Sequence, residues 1–498
     1  MKQSASSTRP DMKSARAWNQ GDVVEVCVER AALGGKLIAH APDGRVTWLN
    51  SAHALGIGDR VSGHIHSLSK KSVTLNVTTI HETSDDRSLP FCPHLTQCGG
   101  CPWQGLTQAQ QLEALQRDID RLLSRATGAP LPWSTAWSED DRRWRHTARL
   151  HSRGHCQLGF FGPSGLLHLE HCPVFIPTLD KILSELQAKL SPLLTGEAEV
   201  KISAAPHETS GTVSVQLFGF WPPLHLDKIK EVLEALCSDE GSVHGATLEA
   251  HSPHLLRSSQ QPEIQDTHPL HRSGAQRRGR QRAHDRGRKT ARAKPRRERH
   301  TRPISKHFDE AHCTPIDLSW GTPYNHLSTP HPAGAFMQAH QSGNFALIQQ
   351  VLEGIGEATD ILELYAGSGN FTVPLARSKE GRRVTALEFD IRAVSALNRY
   401  ADAECLGITA LAQQINQLPI GRFDHILLDP PRAGAAPIID ALAQSQAEAI
   451  TYISCHPAAL ARDLTVLTHG GWKVQNARIF HLFPHSGHAE VYCLLARG

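Results

Sequence analysis

The stretch "TYISCHPAAL" (451–460) brings an apolar run to a lone cysteine, Cys455, followed by His456 and Pro457. Pro457 interrupts the extended pattern, so the thiol falls near a strand end. Two readings follow from that placement. Free cysteine is among the residues most often buried as small core side chains. A thiol at the rim of a sheet can instead be a nucleophile, acting as the thiolate. The surrounding residues decide between them.

Two further stretches bear on that choice. "ILELYAGSGNFTVPLA" runs from an apolar strand through a glycine turn into a helix. Gly367 and Gly369 let the backbone approach a ligand, and the helix start offers N–H groups. A dinucleotide fingerprint would want a third glycine where Thr372 stands. Glu363 closes the first strand, and Glu388, about twenty residues after the turn in "ALEFD", is placed to accept hydrogen bonds from ribose hydroxyls. This series suits S-adenosylmethionine better than a dinucleotide. "HILLDPPRAG" then sets Asp429 at a strand's carboxyl end, stiffened by Pro430 and Pro431, with Arg432 beside it. Cys455 is delivered to the same sheet edge, facing a candidate methyl donor.

A second chemistry is written in "FCPHLTQCGGCPWQG", which holds Cys92, Cys98 and Cys101, with Cys172 about seventy residues on. Gly99 and Gly100 permit a sharp turn that aims N–H groups at sulfur. A zinc ribbon would show two Cys-x2-Cys knuckles, and there is one. A redox pair would have a strand before it and no third cysteine nearby. A four-cysteine iron–sulfur site fits the count best, and with Cys172 as fourth ligand such a cluster is closed and structural or RNA-positioning.

The elements that must hold these residues follow from the pattern. The chain has 498 residues, enough for two to four domains. Eleven cysteines and a polar start without an export signal suit a reducing cytoplasm. No run reaches the length of a membrane span, so no membrane role is expected. Residues 1–18 read as a flexible lead-in. Residues 19–80 alternate apolar and polar in short runs such as "DVVEVCVERA" and "SVTLNVTTI", the pattern of a small β-barrel. Residues 81–315 hold the cysteine motif and a central α+β unit. Within it "TQAQQLEALQRDIDRLLS" predicts a helix with a Thr107–Gln110 capping box and a stripe of Leu112, Leu115, Ile119 and Leu122. From 316 to 498, strand-like runs alternate with helices, as in a doubly wound parallel sheet.

The formal charge of +3 is uneven. Between His271 and Pro303 stand fourteen Lys or Arg against Asp285 and Glu298, so the rest of the chain is net acidic. This basic insert, within about 255–312, lacks the apolar residues to fold and is expected to be disordered. Such runs usually contact polyanions, here RNA; the plain alternative is a solvated spacer.

Taken together, the motifs resemble the RNA uracil-5 methyltransferases, in particular their iron–sulfur, TRAM-containing branch that acts on 23S ribosomal RNA. The likeness covers most of the chain. It implies that 19–80 is a TRAM domain, that Cys92, Cys98, Cys101 and Cys172 hold a [4Fe-4S] cluster, and that 316–498 is a Rossmann-like methyltransferase domain. "GAFMQAHQSGN" resembles the family's Phe-x-Gln segment and makes Gln338 a cofactor contact. "ELYAGSGNFT" places Tyr365 and Gly367 against S-adenosyl-L-methionine, with Glu388 on its ribose and Asp429 nearby. The resemblance makes Cys455 the nucleophile that adds to C6 of uracil and Glu490, in "FPHSGHAE", the base that removes the C5 proton. It implies a monomeric cytoplasmic enzyme with RNA as partner, 23S rRNA first and tRNA second. A non-catalytic RNA-binding protein and an iron–sulfur oxidoreductase are the alternatives from other classes. Three positions depart from the family pattern: His340 and His456 stand where asparagine is usual, and His481 where aspartate is common.

Overall fold

Strict alternation makes the first sheet. In β1 (Val23–Cys27) Val24 and Val26 are buried while their neighbours face out. It is joined by β2 (Arg30–Ala32), β3 (Lys36–His40), β4 (Val46–Asn50), β5 (Arg60–Leu68) and β6 (Ser72–Glu82) in the order β1-β5-β6-β4-β3-β2. The computed structural model describes residues 18–139, 142–204, 211–219, 221–237, 242–251, 316–317, 328–329, 336–416 and 422–498. The expected lead-in (Trp18 excepted) and the basic insert lie outside them.

A short helix, α1 (Leu95–Cys98), carries the second motif cysteine and ends on Gly99 at φ +70°. Next comes α2 (Gln108–Thr127). The Thr107 side chain accepts from the Gln110 N–H while Gln110 reaches back to the Thr107 N–H, so the capping box forms as the spacing predicts. Leu115 and Ile119 of the expected stripe are buried; Leu112 and Leu122 are only partly so, and Ala114 and Leu123 complete the inward face. After α2 the chain runs as a strap along the far sheet: Trp133 and Trp137 bridge to Ala477 and Phe480, and Trp137 N–H donates to the Ile479 carbonyl at 2.8 Å.

The second sheet contains β7 (Thr147–Arg153), β8 (Gly159–Gly162) and β9 (Gly165–His168), then β10 (Glu197–Ala204), β11 (Gly211–Phe218) and β12 (Val243–His251), ordered β12-β11-β10-β7-β8-β9. Helices α3 (Pro177–Lys189) and α4 (Pro223–Leu236) each begin on a proline whose missing N–H costs nothing at a helix start. A two-residue pair, β13 (Ile316–Asp317) and β14 (Ser328–Thr329), follows.

The last region largely alternates helix and strand: α5 (Gln341–Ile355), β15 (Asp360–Leu364), α6 (Thr372–Ser378), β16 (Arg383–Glu388), α7 (Ile391–Ala403), β17 (Ile408–Ala412), β18 (His425–Leu428), α8 (Ile439–Gln444), β19 (Ala449–Ser454), α9 (Pro457–His469), β20 (Trp472–Phe480) and β21 (Glu490–Arg497). Its seven strands are ordered β17-β16-β15-β18-β19-β21-β20. All neighbours are parallel up to β19, and β21 inserts antiparallel between β19 and β20. The order reverses between β15 and β18, where such sheets open a ligand crevice. The whole is mixed α/β over several sheets.

One continuous apolar core joins Val24 and Ile65 of the first sheet to Leu115, Ile119 and Leu123 of α2, and on to Leu364, Leu428, Leu442 and Leu464 of the last region. The second sheet packs its own core around Leu150, Phe175, Leu183 and Val200. Among the described residues no helix is long and apolar enough to cross a membrane.

Candidate active site

The glycine turn after β15 is built from unusual backbone. Tyr365 lies at φ +65°, a region costly for a bulky residue, followed by Gly367 at +57° and Gly369 at +95°. A Cβ on Gly369 would come 2.7 Å from Leu397 Cδ1, so only glycine lets the turn close on α7. Glu388 holds the turn: one carboxylate oxygen accepts the Gly367 N–H at 2.9 Å, and the other accepts those of Phe389 and Asp390 at 2.7 and 2.9 Å. Tyr365 and Glu388 line an open cleft with Phe389, Gln414, Ile415, Asn416 and Pro437. The last four arise from two separate loops, and no contiguous motif announced them. Gln338 does not line this cleft. It is buried ahead of α5, and that helix is tied to the turn by a reciprocal amide pair between Asn344 and Asn370, at 2.7 and 3.0 Å.

Strand register gathers the remaining candidates. Leu364 pairs with Leu428, so Asp429 follows β18 alongside Tyr365, and its N–H reaches the Leu364 carbonyl at 3.4 Å. Ser454 pairs with Val491 across the antiparallel β19–β21 ladder. The next rung therefore sets Cys455 beside Glu490 at the carboxyl edge of β19. The thiol is only partly buried, while Glu490 is buried with one carboxylate oxygen unpartnered.

The electrostatics are those of an acid-rich pocket with one cation. Burial, then Glu490 and Asp429, push the Cys455 thiol up to about 12, and Arg432 pulls the other way. Burial raises Asp429 to about 7. Glu490 is also raised, by burial first and the Asp429 charge second. Glu363, buried beneath the turn, is pushed up to about 8 by the same causes. Burial thus favours the neutral forms of these acids and of the thiol, and Arg432 works against it at Cys455 and Glu490.

His340 and His456 have a shared role that the sequence did not show. Each is a helix N-cap whose imidazole Nδ1 accepts the N–H three residues on: Gly343 for α5 at 3.3 Å, Ala459 for α9 at 3.2 Å. A neutral imidazole thus does the work of an asparagine cap. His481, the third departure, is fully buried in the loop before Glu490.

Asp463 was also missed, because in sequence it looks like an ordinary helical charge. It is buried in α9, and one carboxylate oxygen accepts the Tyr452 hydroxyl at 2.6 Å and the Ala435 N–H at 2.7 Å. Arg462 donates to the other oxygen at 2.8 Å and to the Ala433 carbonyl at 2.7 Å. The helix that begins beside Cys455 therefore clamps the loop that carries Asp429 and Arg432.

Cys92, Cys98, Cys101 and Cys172 line one pocket with Phe91, His94, Gln104 and Phe160. Burial pushes Cys101 and Cys172 up to about 12 and raises Cys98; neighbouring thiols add to each, and Arg145 opposes. The Gly100 N–H points at the Cys98 sulfur and the Val174 N–H at that of Cys172. Four partly buried soft donors, two with N–H groups aimed at sulfur, fit a thiolate-ligated inorganic cluster. Among the described residues no group of three or more His, Cys, Asp or Glu is drawn tightly enough to hold a single metal ion.

Comparison with known proteins gives a consistent picture. The family model described as tRNA (Uracil-5-)-methyltransferase matches residues 412–498. The 23S rRNA (uracil(1939)-C(5))-methyltransferase RlmD of Pseudomonas fluorescens is 26% identical over 492 residues, 95% of this chain and 94% of that protein. Its counterpart in Chromohalobacter salexigens is 28% identical, over 98% and 92%. Among solved structures, Pyrococcus abyssi tRNA (uracil-54, C5)-methyltransferase with S-adenosyl-L-homocysteine superposes with a TM-score of 0.62 at 16% identity, covering 95% of this chain and all of that one.

Proposed function

We propose that the chain is an RNA uracil-5 methyltransferase, which transfers the methyl group of S-adenosyl-L-methionine to C5 of a uridine in 23S ribosomal RNA. The observation that carries the mechanism is the β19–β21 register, which supports Cys455 and Glu490 acting on one base at the sheet edge that also bears Tyr365 and Asp429. The full-length likeness to ribosomal RNA enzymes favours that substrate. The family model and the solved neighbour keep a tRNA target as the second reading.

The steps follow from the side chains. The target uridine leaves its stack, at a cost of roughly a few kcal/mol, and enters the pocket. Cys455 gives up its proton to solvent, and the thiolate adds to C6, giving an enolate that is nucleophilic at C5. C5 takes the methyl from the sulfonium, which departs as the neutral thioether. The Glu490 carboxylate then removes the C5 proton; the electrons of that C–H bond restore the ring double bond, and the C6–S bond breaks to release the thiolate. Arg432 offsets negative charge on the thiolate and on Glu490. Tyr365, Gly367, Glu388 and Asp429 would hold the cofactor, Glu388 from the ribose side, while Gln338, outside the cleft, would reach it only from the start of α5.

In this reading Cys92, Cys98, Cys101 and Cys172 hold a [4Fe-4S] cluster. Bound there, the cluster would supply a rigid cross-link between the segments that carry these four cysteines. The first sheet serves as a TRAM-like RNA-binding unit, residues 316–498 as the methyltransferase unit, and the enzyme works as a cytoplasmic monomer. The test is covalent trapping. RNA carrying 5-fluorouridine has no C5 proton to lose, so wild-type protein with cofactor should stay bound to it through a denaturing gel. No adduct with any ribosomal or transfer RNA would leave a non-catalytic RNA-binding protein. Mapping 5-methyluridine in both RNA classes from a strain lacking the gene decides the substrate.

A further inference from the structure

His485 lies in the loop between β20 and β21, five residues before Glu490, and its backbone sits at φ +64°. A non-glycine residue stays there only when its surroundings over-determine it, and such positions cluster at working sites. His485 is held from three sides. Its N–H donates to Gln111 Oε1 at 2.7 Å, and Gln111 Nε2 donates back to its Nδ1 at 3.3 Å. Its carbonyl accepts the Trp103 N–H at 2.9 Å. Its ring meets the edge of Phe91 at 5.0 Å. Both arms of the cysteine motif end on it: Phe91 immediately precedes Cys92, and Trp103 is two residues past Cys101. Gln104 ties those arms together, its Oε1 accepting the Phe91 and Cys92 N–H groups at 3.2 Å each. Beyond His485 the loop is pinned again, the Gly487 carbonyl accepting the Gly34 N–H at 3.1 Å, and it then enters β21 at Glu490.

We propose that His485 is a positioning residue that couples the four-cysteine pocket to Glu490, so that filling the pocket fixes where the base stands. The contacts rest on the geometry alone; the role of Glu490 rests on the function proposed above. With the pocket filled, the Cys92 and Cys101 arms are cross-linked, and Phe91, Trp103 and Gln111 hold the left-handed turn. With it emptied, the arms separate and the turn relaxes, taking Glu490 out of line with C5.

The first measurement needs neither RNA nor activity. Amide hydrogen exchange of 481–490 is followed in full-length protein loaded with iron and sulfide and after stripping with chelator and oxidant. Stripping should raise exchange there about tenfold or more, with the β15–β18 strands unchanged. His485→Asn, which tolerates the backbone angle but loses the ring contacts, should bind iron normally and show the fast exchange even when loaded. With ordinary uridine RNA it should also accumulate the Cys455 adduct, because methyl transfer proceeds while proton removal lags; general misfolding would lower the adduct instead. Identical exchange at 481–490 in loaded and stripped wild type overturns the proposal. So does a His485→Asn protein that matches wild type in exchange and in adduct level. If wild type forms no adduct with 5-fluorouridine RNA, the proposed function fails while the exchange result still decides the coupling.

Discussion

The Nδ1 atom of His456 accepts the backbone N–H of Ala459 at 3.2 Å, so the residue next to the candidate nucleophile caps the helix that follows it. Only a neutral ring can accept there. Burial, with Arg432 and Arg462, lowers the His456 pKa from its ordinary value, which keeps the cap intact in neutral solution. Protonation removes the acceptor and places a positive charge at a helix N-terminus, where it is unfavourable. His456→Asn keeps the cap at every pH. Its kcat should lie within about twofold of wild type at pH 8 and exceed wild type increasingly as pH falls below 6. Parallel kcat–pH profiles for the two proteins would remove the cap from the explanation.

The two catalytic assignments separate by product. Cys455→Ala should give no adduct with 5-fluorouridine RNA and no methylation. Glu490→Gln should still form the sulfur–C6 bond and transfer the methyl, then stall, leaving a methylated covalent complex with ordinary uridine RNA. Mass spectrometry of the trapped peptide reads both. Adduct in the alanine variant, or free turnover in the glutamine one, reassigns the roles.

Acid should weaken the fold through its buried imidazoles. Burial lowers His146, His425 and His481 to about 4 and His340 to about 3. Each is neutral in the folded chain, whereas the unfolded chain takes up a proton near pH 6.5. The stability they contribute is complete above pH 6.5 and falls as pH drops from there toward 4. Each group costs about 1.4 kcal/mol per pH unit across that window. Urea midpoints measured from pH 8 to 5 should decline below 6.5, and His340→Asn should decline less steeply.

The Asp463 clamp can be tested apart from the chemistry. Tyr452→Phe removes one donor from a buried carboxylate that keeps the Ala435 N–H and Arg462. A loss of about 1–3 kcal/mol is expected. Asp463→Asn should cost more and lower kcat further than it raises KM for cofactor, because the loop bearing Asp429 and Arg432 loosens. Equal stability of all three proteins by denaturant titration would show the clamp to be idle.

The basic insert is tested by its charge alone. Deleting 271–303 removes fourteen cationic side chains. RNA affinity should fall and the slope of log Kd against log salt should flatten. Binding that is unchanged at every salt concentration marks the segment as a spacer.

How much was legible follows from what each signal encodes. The period-two runs before residue 80 and the alternation after 340 are properties of contiguous sequence, so the sheets could be read directly. Cys92, Cys98 and Cys101 share one motif, and the fold brings Cys172 to the pocket they line. The two imidazole caps could not be read, because histidine is a rare cap and only the N–H it meets identifies it. Asp463 needed Tyr452 and Ala435 brought to it by the fold. Gln414, Ile415, Asn416 and Pro437 face the cleft from loops far apart in sequence. The strap through "PWSTAW" lacks an alternating run, because its pairing is set by the strand it lies against.

That strap has a consequence for how the enzyme can be divided. β20 is the outermost strand of its sheet, and Pro132, Ser134 and Trp137 occupy hydrogen-bonding groups it would otherwise present to water. α2 covers the side of the same region where α9 lies. A fragment starting at residue 316 would bear every residue proposed for the transfer, from Gln338 to Glu490, but carry a bare sheet edge beside an uncovered apolar helix. Such edges recruit other chains. The part that looks self-sufficient is therefore a template for aggregation, protected in the whole molecule by a segment synthesised about 340 residues earlier.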